Sequence, residues 1–548
     1  MRLAVITSWI LWMGSISLCC GRENPVARQN RMLSQPGVPF DKWTRNTFVP
    51  RKFDNVNTRK FAVNGTGIPD IAFDIGEAYA GRLSATEDLN GTEKFYFWFQ
   101  PSSNPAAKKE IVIWLNGGPG CSSLEGFLQE NGPFLWQYGT YKPVPNPWSW
   151  HHLSNVLWVE QPIGTGFSQG RVTARNEQDV AKQFLGFFRN FVKTFSMEGY
   201  KVYITGESYA GMYCPYIASA MLDTNDTTHF NVKGMMIYDP EIGVVSLQND
   251  IVTVPFIDFN RNLFPLNDSF VKEIRRADED CGFAALRAKH LRYPPEGRLP
   301  SVLPGVDAAT GKVLPACSIS QRVQDAVTAL NPCFNIYQVA TTCPLLWDVL
   351  GFPGAFEYLP TGASVYFNRA DVKKAINAPL DVDWMSCSDG PVFEGDGVDH
   401  SEPPSINVLG RVIDRTQKVI IGHGALDFGL IANGTLMNIQ NMTFGEKQGF
   451  QTRPVEPFYV PYHSDGADAT LAGAGIFGTT HTERGLTYVD VSLAGHMIPQ
   501  YAPSAAYRHL EFLLERIDSL SSTKPFTTTP PVSERKRPSK LVLKPRVA

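Results

Sequence analysis

Three residue types at ordered positions could carry nucleophilic chemistry. Ser208 lies in "KVYITGESYAG", where an apolar run enters a Gly-flanked serine and then a second apolar segment. That pattern fits a nucleophile elbow, a strained strand-to-helix turn that lifts the hydroxyl clear of its neighbours. The strict form G-x-S-x-G is not met, because Ala210 stands at the second glycine, though a small residue can still serve. A serine nucleophile needs a base and an acid to orient that base. Asp427 follows "KVIIGHGAL" and His496 follows "LTYVDVSLAG", each where a strand should end. Of the four histidines after Asp427, His509 falls in a helical pattern and His463 and His481 in Gly-rich connections, which leaves His496. Acyl transfer also needs amide donors for the oxyanion. The N–H of Tyr209 is one, and the loop "WLNGGPGCSSLEG" could supply another from Gly117 or Gly118. Glu207 is the odd residue, a carboxylic acid placed directly beside the serine.

These side chains need a scaffold. Short apolar runs at Ile111–Leu115, Val156–Val159, Val202–Thr205, Val419–Ile421 and Leu486–Val491 read as buried strands, most of them ending in glycine-rich loops. Val180, Phe184, Phe187, Phe188, Phe191 and Phe195 recur at helical spacing, as do Ala506, Leu510, Leu513, Leu514 and Ile517 after Pro503. Strands alternating with helices predict an α/β fold with a mostly parallel sheet covered on both faces, and the order serine, acid, histidine is that of an α/β-hydrolase. Residues 245–385 break the rhythm and read as a largely helical cap insertion. The catalytic domain is expected over 61–520, preceded by an irregular leader or propeptide at 21–60 and followed by a disordered basic tail at 521–548.

Composition narrows the class. The 548-residue chain is 43% hydrophobic and 19% charged with a net charge of −3, an ordinary globular balance that gives no electrostatic case for nucleic acid or an anionic membrane. Residues 1–20 read as a signal peptide, too short in their apolar run to span a bilayer, and no later segment is long and apolar enough to do so. Six N-x-S/T sequons, at Asn64, Asn90, Asn225, Asn267, Asn433 and Asn441, agree with a secretory route, either outward or to a vacuole. Of nine cysteines, Cys19 and Cys20 fall in the signal. The remaining seven suggest three bridges and one free thiol, assigned to Cys214 among the apolar residues after the elbow. A metallopeptidase is disfavoured because no H-x-x-E occurs.

The blocks "WLNGGPGCSS" (Trp114–Ser123), "ENGPF" (Glu130–Phe134), "GESYAG" (Gly206–Gly211), "LDF" with Asp427 and "AGHMIPQYAP" (Ala494–Pro503) resemble, in order, those of the serine carboxypeptidases, closest to secreted or vacuolar fungal members. The resemblance runs from about Tyr79 to Leu514. It implies an α/β-hydrolase fold with a helical cap and a Ser208–Asp427–His496 triad. It implies an oxyanion hole from Gly118 and Tyr209, and a site for the substrate's α-carboxylate at Asn116, Gly117, Glu130 and Glu207. Met497 would line the leaving-residue pocket. The expected partners are peptide and protein C-termini, with no cofactor and no metal. Cys121 is expected to pair with Cys387, and Cys281–Cys343 to enclose Cys317–Cys333. The resemblance also gives Glu207 a purpose. Two nearby carboxyls cannot both ionise easily, and a protonated one can donate to a carboxylate. Peptide binding is then expected to favour acid, at roughly pH 4–5.5 from ordinary carboxyl values. Activity there requires His496 to titrate low in the substrate complex, which burial under the cap would favour. An acyltransferase on the same scaffold and a binding scaffold with incidental hydrolysis stay open on the residues alone.

Overall fold

A computed structural model describes residues 51–105, 107, 109–351, 363–462 and 474–528. The expected signal peptide, the leader before residue 51 and the tail beyond residue 528 lie outside the described residues. The centre is an 11-stranded sheet. In chain order its strands are β1 (Ala62–Val63), β2 (Ala78–Ser84), β3 (Lys94–Gln100), β4 (Glu110–Leu115), β5 (Asn155–Glu160), β6 (Lys201–Glu207), β7 (Asn231–Tyr238), β8 (Val419–Gly424), β9 (Glu456–Val460), β10 (Gly475–Glu483) and β11 (Leu486–Val491). Their spatial order is β1-β2-β3-β5-β4-β6-β7-β8-β11-β10-β9. The six inner strands, β5 to β11, run parallel, and the flanking pairs are antiparallel. All five apolar runs named above fall on inner strands.

Inner strands are mainly apolar and mostly buried because both faces are covered. In β4, Ile111, Ile113 and Leu115 enter one buried cluster while Val112 and Trp114 enter the other. β6 divides in the same way, with Val202 and Ile204 on one side and Tyr203 on the opposite one. This is the two-residue period of a strand made visible. Helix α1 (Glu177–Phe195) lays Phe184, Phe187, Phe188, Phe191 and Phe195 into the first cluster. Each such ring contributes about 1.5–3 kcal/mol by leaving water. Asn176 caps its start, its side chain accepting from the Asp179 N–H at 3.0 Å. Helix α2 (Ala210–Asp223) follows the elbow on the same face.

The connection between β7 and β8 holds the stretch expected as an insertion. It includes α3 (Asp268–Asp280), α4 (Phe283–His290) and α5 (Ile319–Leu330). These bury a third cluster of their own, which also takes in Phe428, Ile431 and Met437 from the chain after β8. Helix α6 (Pro503–Leu513) closes the other face of the sheet, with Pro at its first turn.

Two expected boundaries move. Residues 51–60 pack on the domain instead of forming leader: Phe53 is buried in the core, and the N–H groups of Lys52 and Phe53 donate to Glu77. At the other end Phe526 is buried, and Arg508 donates to the carbonyls of Ser522 and Lys524. In both places an aromatic anchor inside a polar stretch holds the chain down.

The expected nesting of four cysteines is corrected. The bridges are Cys121–Cys387, Cys281–Cys317 and Cys333–Cys343. Cys317 and Cys333 flank the twelve-residue α5, about 18 Å long, and so stand too far apart to join. Each instead takes a neighbour on its own side of that helix. Cys214 is free and buried, as expected.

Candidate active site

Ser208 follows β6 at φ +62°, a left-handed conformation that costs a non-glycine residue strain. Its N–H donates to the Tyr238 carbonyl at 2.9 Å, and its own carbonyl accepts from Gly211 and Glu241 at 2.8 and 3.0 Å. These bonds hold the turn. Gly206 must lack a side chain, because a β-carbon there would lie 2.4 Å from the Leu115 carbonyl oxygen and 2.6 Å from the Ala210 methyl. The elbow tolerates Ala210 because Gly206 leaves that methyl its room.

Ser208, Asp427 and His496 come after β6, β8 and β11, at the same end of parallel strands. Asp427 is fully buried. Its Oδ1 accepts from the N–H groups of Gly429 and Leu430, at 2.8 and 3.3 Å, and its Oδ2 accepts from His496 Nδ1 at 2.7 Å. That bond leaves Nε2 as the ring atom available to a serine. Among the described residues no hydrogen bond joins Ser208 Oγ to the ring. Such contacts are often long in an unliganded site. The His496 N–H donates to the Tyr337 carbonyl at 2.8 Å, and the two rings lie 4.8 Å apart.

The low titration of His496 is expected of the substrate complex; in the protein by itself the direction is the opposite. Burial, the largest single influence, pushes its pKa down, but the charge and hydrogen bond of Asp427 together with the charges of Asp239 and Glu130 hold it above the ordinary histidine value. Asp239 and Glu130 contribute to that rise only as anions.

The loop after β4 packs against the elbow. A β-carbon at Gly117 would lie 2.5 Å from the Tyr209 nitrogen and 2.7 Å from the Ser208 Cβ, so only glycine lets the two segments meet. Among the described residues the N–H groups of Gly118 and Tyr209 have no hydrogen-bond acceptor. The Cys121–Cys387 bridge pins this loop from behind, with flanking bonds from Ser122 N–H to Ser386 O and from Ser388 N–H to Gly120 O.

Asn116, Glu130 and Glu207 come together in the same place, all buried. Trp114 Nε1 donates to Asn116 Oδ1 at 2.8 Å, which turns the amide NH2 toward the acids. Asn116 Nδ2 donates to Glu207 Oε1 at 2.8 Å and more weakly to Glu130 Oε1 at 3.5 Å. The two buried carboxyls thus meet at one amide, and acids this close do not both ionise easily. The Oε2 atom of each has no N–H or O–H donor among the described residues. Burial raises Glu130 to about 7, against its bonds to Glu207 and Asn116. Burial and then the charge of Glu130 hold Glu207 well above the carboxylate range. Met497, buried, follows His496 and starts the helical turn Ile498–Tyr501.

Some residues around the site escaped the sequence reading. Tyr337, from the β7–β8 connection, sets its ring against that of His496 at a tilt of 40°. Glu125 is a further buried acid, raised by burial and by the charges of Glu130 and Asp348. Asp239 follows β7 and, with His423 and Asp427, brings metal-ligand-type atoms within 4.8 Å of one another. In that trio Asp427 already takes three donors. The run "GMMIYD" ends on an acid as "VIIGHGALD" does, and this was the available signal for Asp239.

A profile described as serine carboxypeptidase matches residues 69–516. A relative named probable serine carboxypeptidase, from Arthroderma benhamiae, is 56% identical over 477 residues, covering 85% of this chain and 88% of the relative. The serine-type carboxypeptidase F of Aspergillus niger is 46% identical over 485 residues, covering 86% and 89%. The crystal structure of a prohormone-processing carboxypeptidase from Saccharomyces cerevisiae superimposes with a TM-score of 0.66 at 23% identity, over 85% of this chain and 98% of that one, and so shares the fold.

Proposed function

The chain belongs to the serine carboxypeptidase family, an α/β-hydrolase acting on peptides, and from that premise we propose which of its residues do the work and in which protonation state. Ser208 is the nucleophile, His496 its general base and Asp427 the residue that orients the ring. His496 takes the Ser208 proton through Nε2 as Oγ attacks the last peptide carbonyl. The Gly118 and Tyr209 amides hold the oxyanion. The protonated ring then passes its proton to the departing amine, and the C-terminal amino acid leaves. Water, activated by the same ring, cleaves the acyl-enzyme.

The observation that carries the exopeptidase assignment is the buried cluster of Asn116, Glu130 and Glu207, the last of them next to Ser208 in the chain. An acid that keeps its proton can donate to the substrate's terminal carboxylate, with Asn116 and the Gly117 N–H as further donors. Ionised, the pair would repel it. Binding is therefore favoured on the acid side of about 7, where Glu130 titrates. The pH 4–5.5 window came from ordinary carboxyl values, and burial moves its upper end. The proton has a second effect: a neutral Glu130 no longer raises His496, so the acid form of the pair helps the base stay free at lower pH.

Met497 borders the leaving-residue pocket, and the β7–β8 connection acts as the cap. Entry to the secretory pathway is supported by three disulfides and the N-terminal signal pattern. No helix among the described residues is long and apolar enough to cross a membrane. Glycan attachment is proposed at all six sequons, of which Asn64, Asn90, Asn225 and Asn267 are exposed and Asn433 and Asn441 half-buried.

The test is release of free amino acid from an N-blocked dipeptide at pH 4.5 and 7.5, beside the same dipeptide amidated at its C-terminus. Release from the free acid, greater at pH 4.5 and abolished in Ser208→Ala, is expected. Equal turnover of acid and amide would remove the role given to Glu130 and Glu207.

A further inference from the structure

Between the strand that leads to Ser208 and the strand that leads to Asp427 lies β7, and it too ends on an acid. Asp239 is fully buried and sits at φ +41°, a strained conformation for a residue with a side chain. It is clamped to β8: its N–H donates to the Gly422 carbonyl at 2.8 Å, and the Gly424 N–H donates to its Oδ1 at 2.8 Å. Its Oδ2 has no N–H or O–H donor among the described residues. A carboxylate oxygen of Asp239 lies within 4.8 Å of one of Asp427, both side chains being fully buried.

Two buried carboxyls this near each other do not both ionise unless a cation lies between them. The surroundings offer no such cation. His423 Nδ1 lies 3.0 Å from Asp239 Oδ1 but is not aligned for a hydrogen bond, and its Nε2 faces Thr435 Oγ1 at 2.8 Å. Burial lowers His423 to about 4, so it stands neutral. His496 is the remaining basic neighbour, and Asp427 already holds it. Glu207 at the end of β6, Tyr238 on β7 itself and Tyr488 on β11 also sense this charge, and none is cationic.

Resting on the triad assigned above, we propose that Asp239 is a positioning residue: a carboxylic acid whose Oδ2–H donates to Asp427 and fixes the carboxylate that orients His496. Asp427 carries the charge of the pair and Asp239 carries the proton. Burial, and then the charge of Asp427, hold Asp239 well above the carboxylate range, in agreement with this division. The triad thus has a fourth member, from the strand between its acid and its nucleophile. In this role Asp239 is equivalent to an amide, since an asparagine at the same place offers an N–H to Asp427 and no charge.

That equivalence sets the test. Asp239→Asn and Asp239→Ala are compared with the wild-type full chain on an N-blocked dipeptide from pH 4 to 8. Active serine is counted with a stoichiometric covalent serine reagent. Asp239→Asn is expected to keep kcat within about threefold and to leave the acid limb of kcat, set by His496, where it was. Asp239→Ala is expected to lower kcat per active serine by about tenfold or more with KM unchanged. The proposal is overturned if Asn costs as much as Ala, or if Ala keeps its kcat. It is equally overturned if Asn moves the acid limb down by about half a unit or more, because an ionised Asp239 would have been raising His496. Should Asp239→Ala fail to fold, the Asn acid limb decides alone. Ser208→Ala and Asp427→Ala, run beside them, report separately on the triad.

Discussion

Glu207 ends one strand with its carboxyl against Glu130 and Asn116; two strands away, Asp427 meets Asp239 and His496. Both are buried acid pairs whose two carboxyls do not both ionise easily. They differ in what else surrounds them. The Asp239–Asp427 pair is enclosed by the amides of Gly424, Gly429 and Leu430 and by the His496 ring. The Glu130–Glu207 side chains have a single side-chain amide, that of Asn116, and oxygens with no other donor. An enclosed pair fixes geometry, because its proton has nowhere to go. A pair short of donors is open to a ligand that completes it. In the roles proposed above, the same electrostatic conflict serves the base at one strand end and substrate recognition at another.

The comparison breaks first at Asp427. Asp427→Asn should lower kcat by about 10^4-fold with little change in KM, because the ring loses the partner that sets its tautomer. Steady-state kinetics at the optimum checks this, and a loss carried by KM would place Asp427 with the outer pair. The outer pair should behave in the opposite way. Glu207→Ala should raise KM for a free-acid dipeptide by about 10–100-fold, the worth of a hydrogen bond to a charged group, and leave the amidated dipeptide unchanged. Glu207→Gln keeps a donor that cannot ionise. It should therefore bind within a few fold of wild type at pH 5 and exceed wild type at pH 8.

The smallest effect separates titration from function. Glu160 is also raised by burial to about 7, yet its oxygens accept from Ser122, Trp384 and the Phe167 N–H. Between the ordinary carboxyl value and about 7, folded Glu130 and Glu160 hold protons that the unfolded chain has released. Stability must then fall as pH rises through that window, with the loss complete above it. Melting curves from pH 5 to 8 should show a decline on the order of 5 °C. Glu160→Gln should flatten part of that slope without touching KM, whereas Glu130→Gln should alter both.

Much of the catalytic end was legible because strand ends are local. Apolar runs of four to six residues closing on Ser208, Asp427 or His496 carry their own signal, and the sheet aligns them in parallel. Asp239 was not legible in the same way, although it ends a similar run. An acid after a strand reads as a solvated turn until the residues of a distant strand are seen to bury it. The Asp427–His496 contact was legible from the order of the triad, but its 2.7 Å length, which sets its weight against burial, was not. The cysteine pairs depended on the length of α5, whose ends the sequence reading did not fix. Phe53 and Phe526 each sat alone in polar surroundings, and only tertiary packing showed them to be anchors.

The clamp on the Gly117–Gly118 loop has a consequence for how the chain is made. Cys121 and Cys387 are 266 residues apart, so the half that must be held leaves the ribosome about 10–50 s before the half that holds it. The other two bridges span 36 and 10 residues and can close as they emerge. Through that interval Cys121 waits as an open thiol with Cys214 already synthesised. In the folded protein Cys214 is free and fully buried in the core under the elbow, so the hydrophobic packing of α2, once formed, closes its thiol to exchange with that of Cys121.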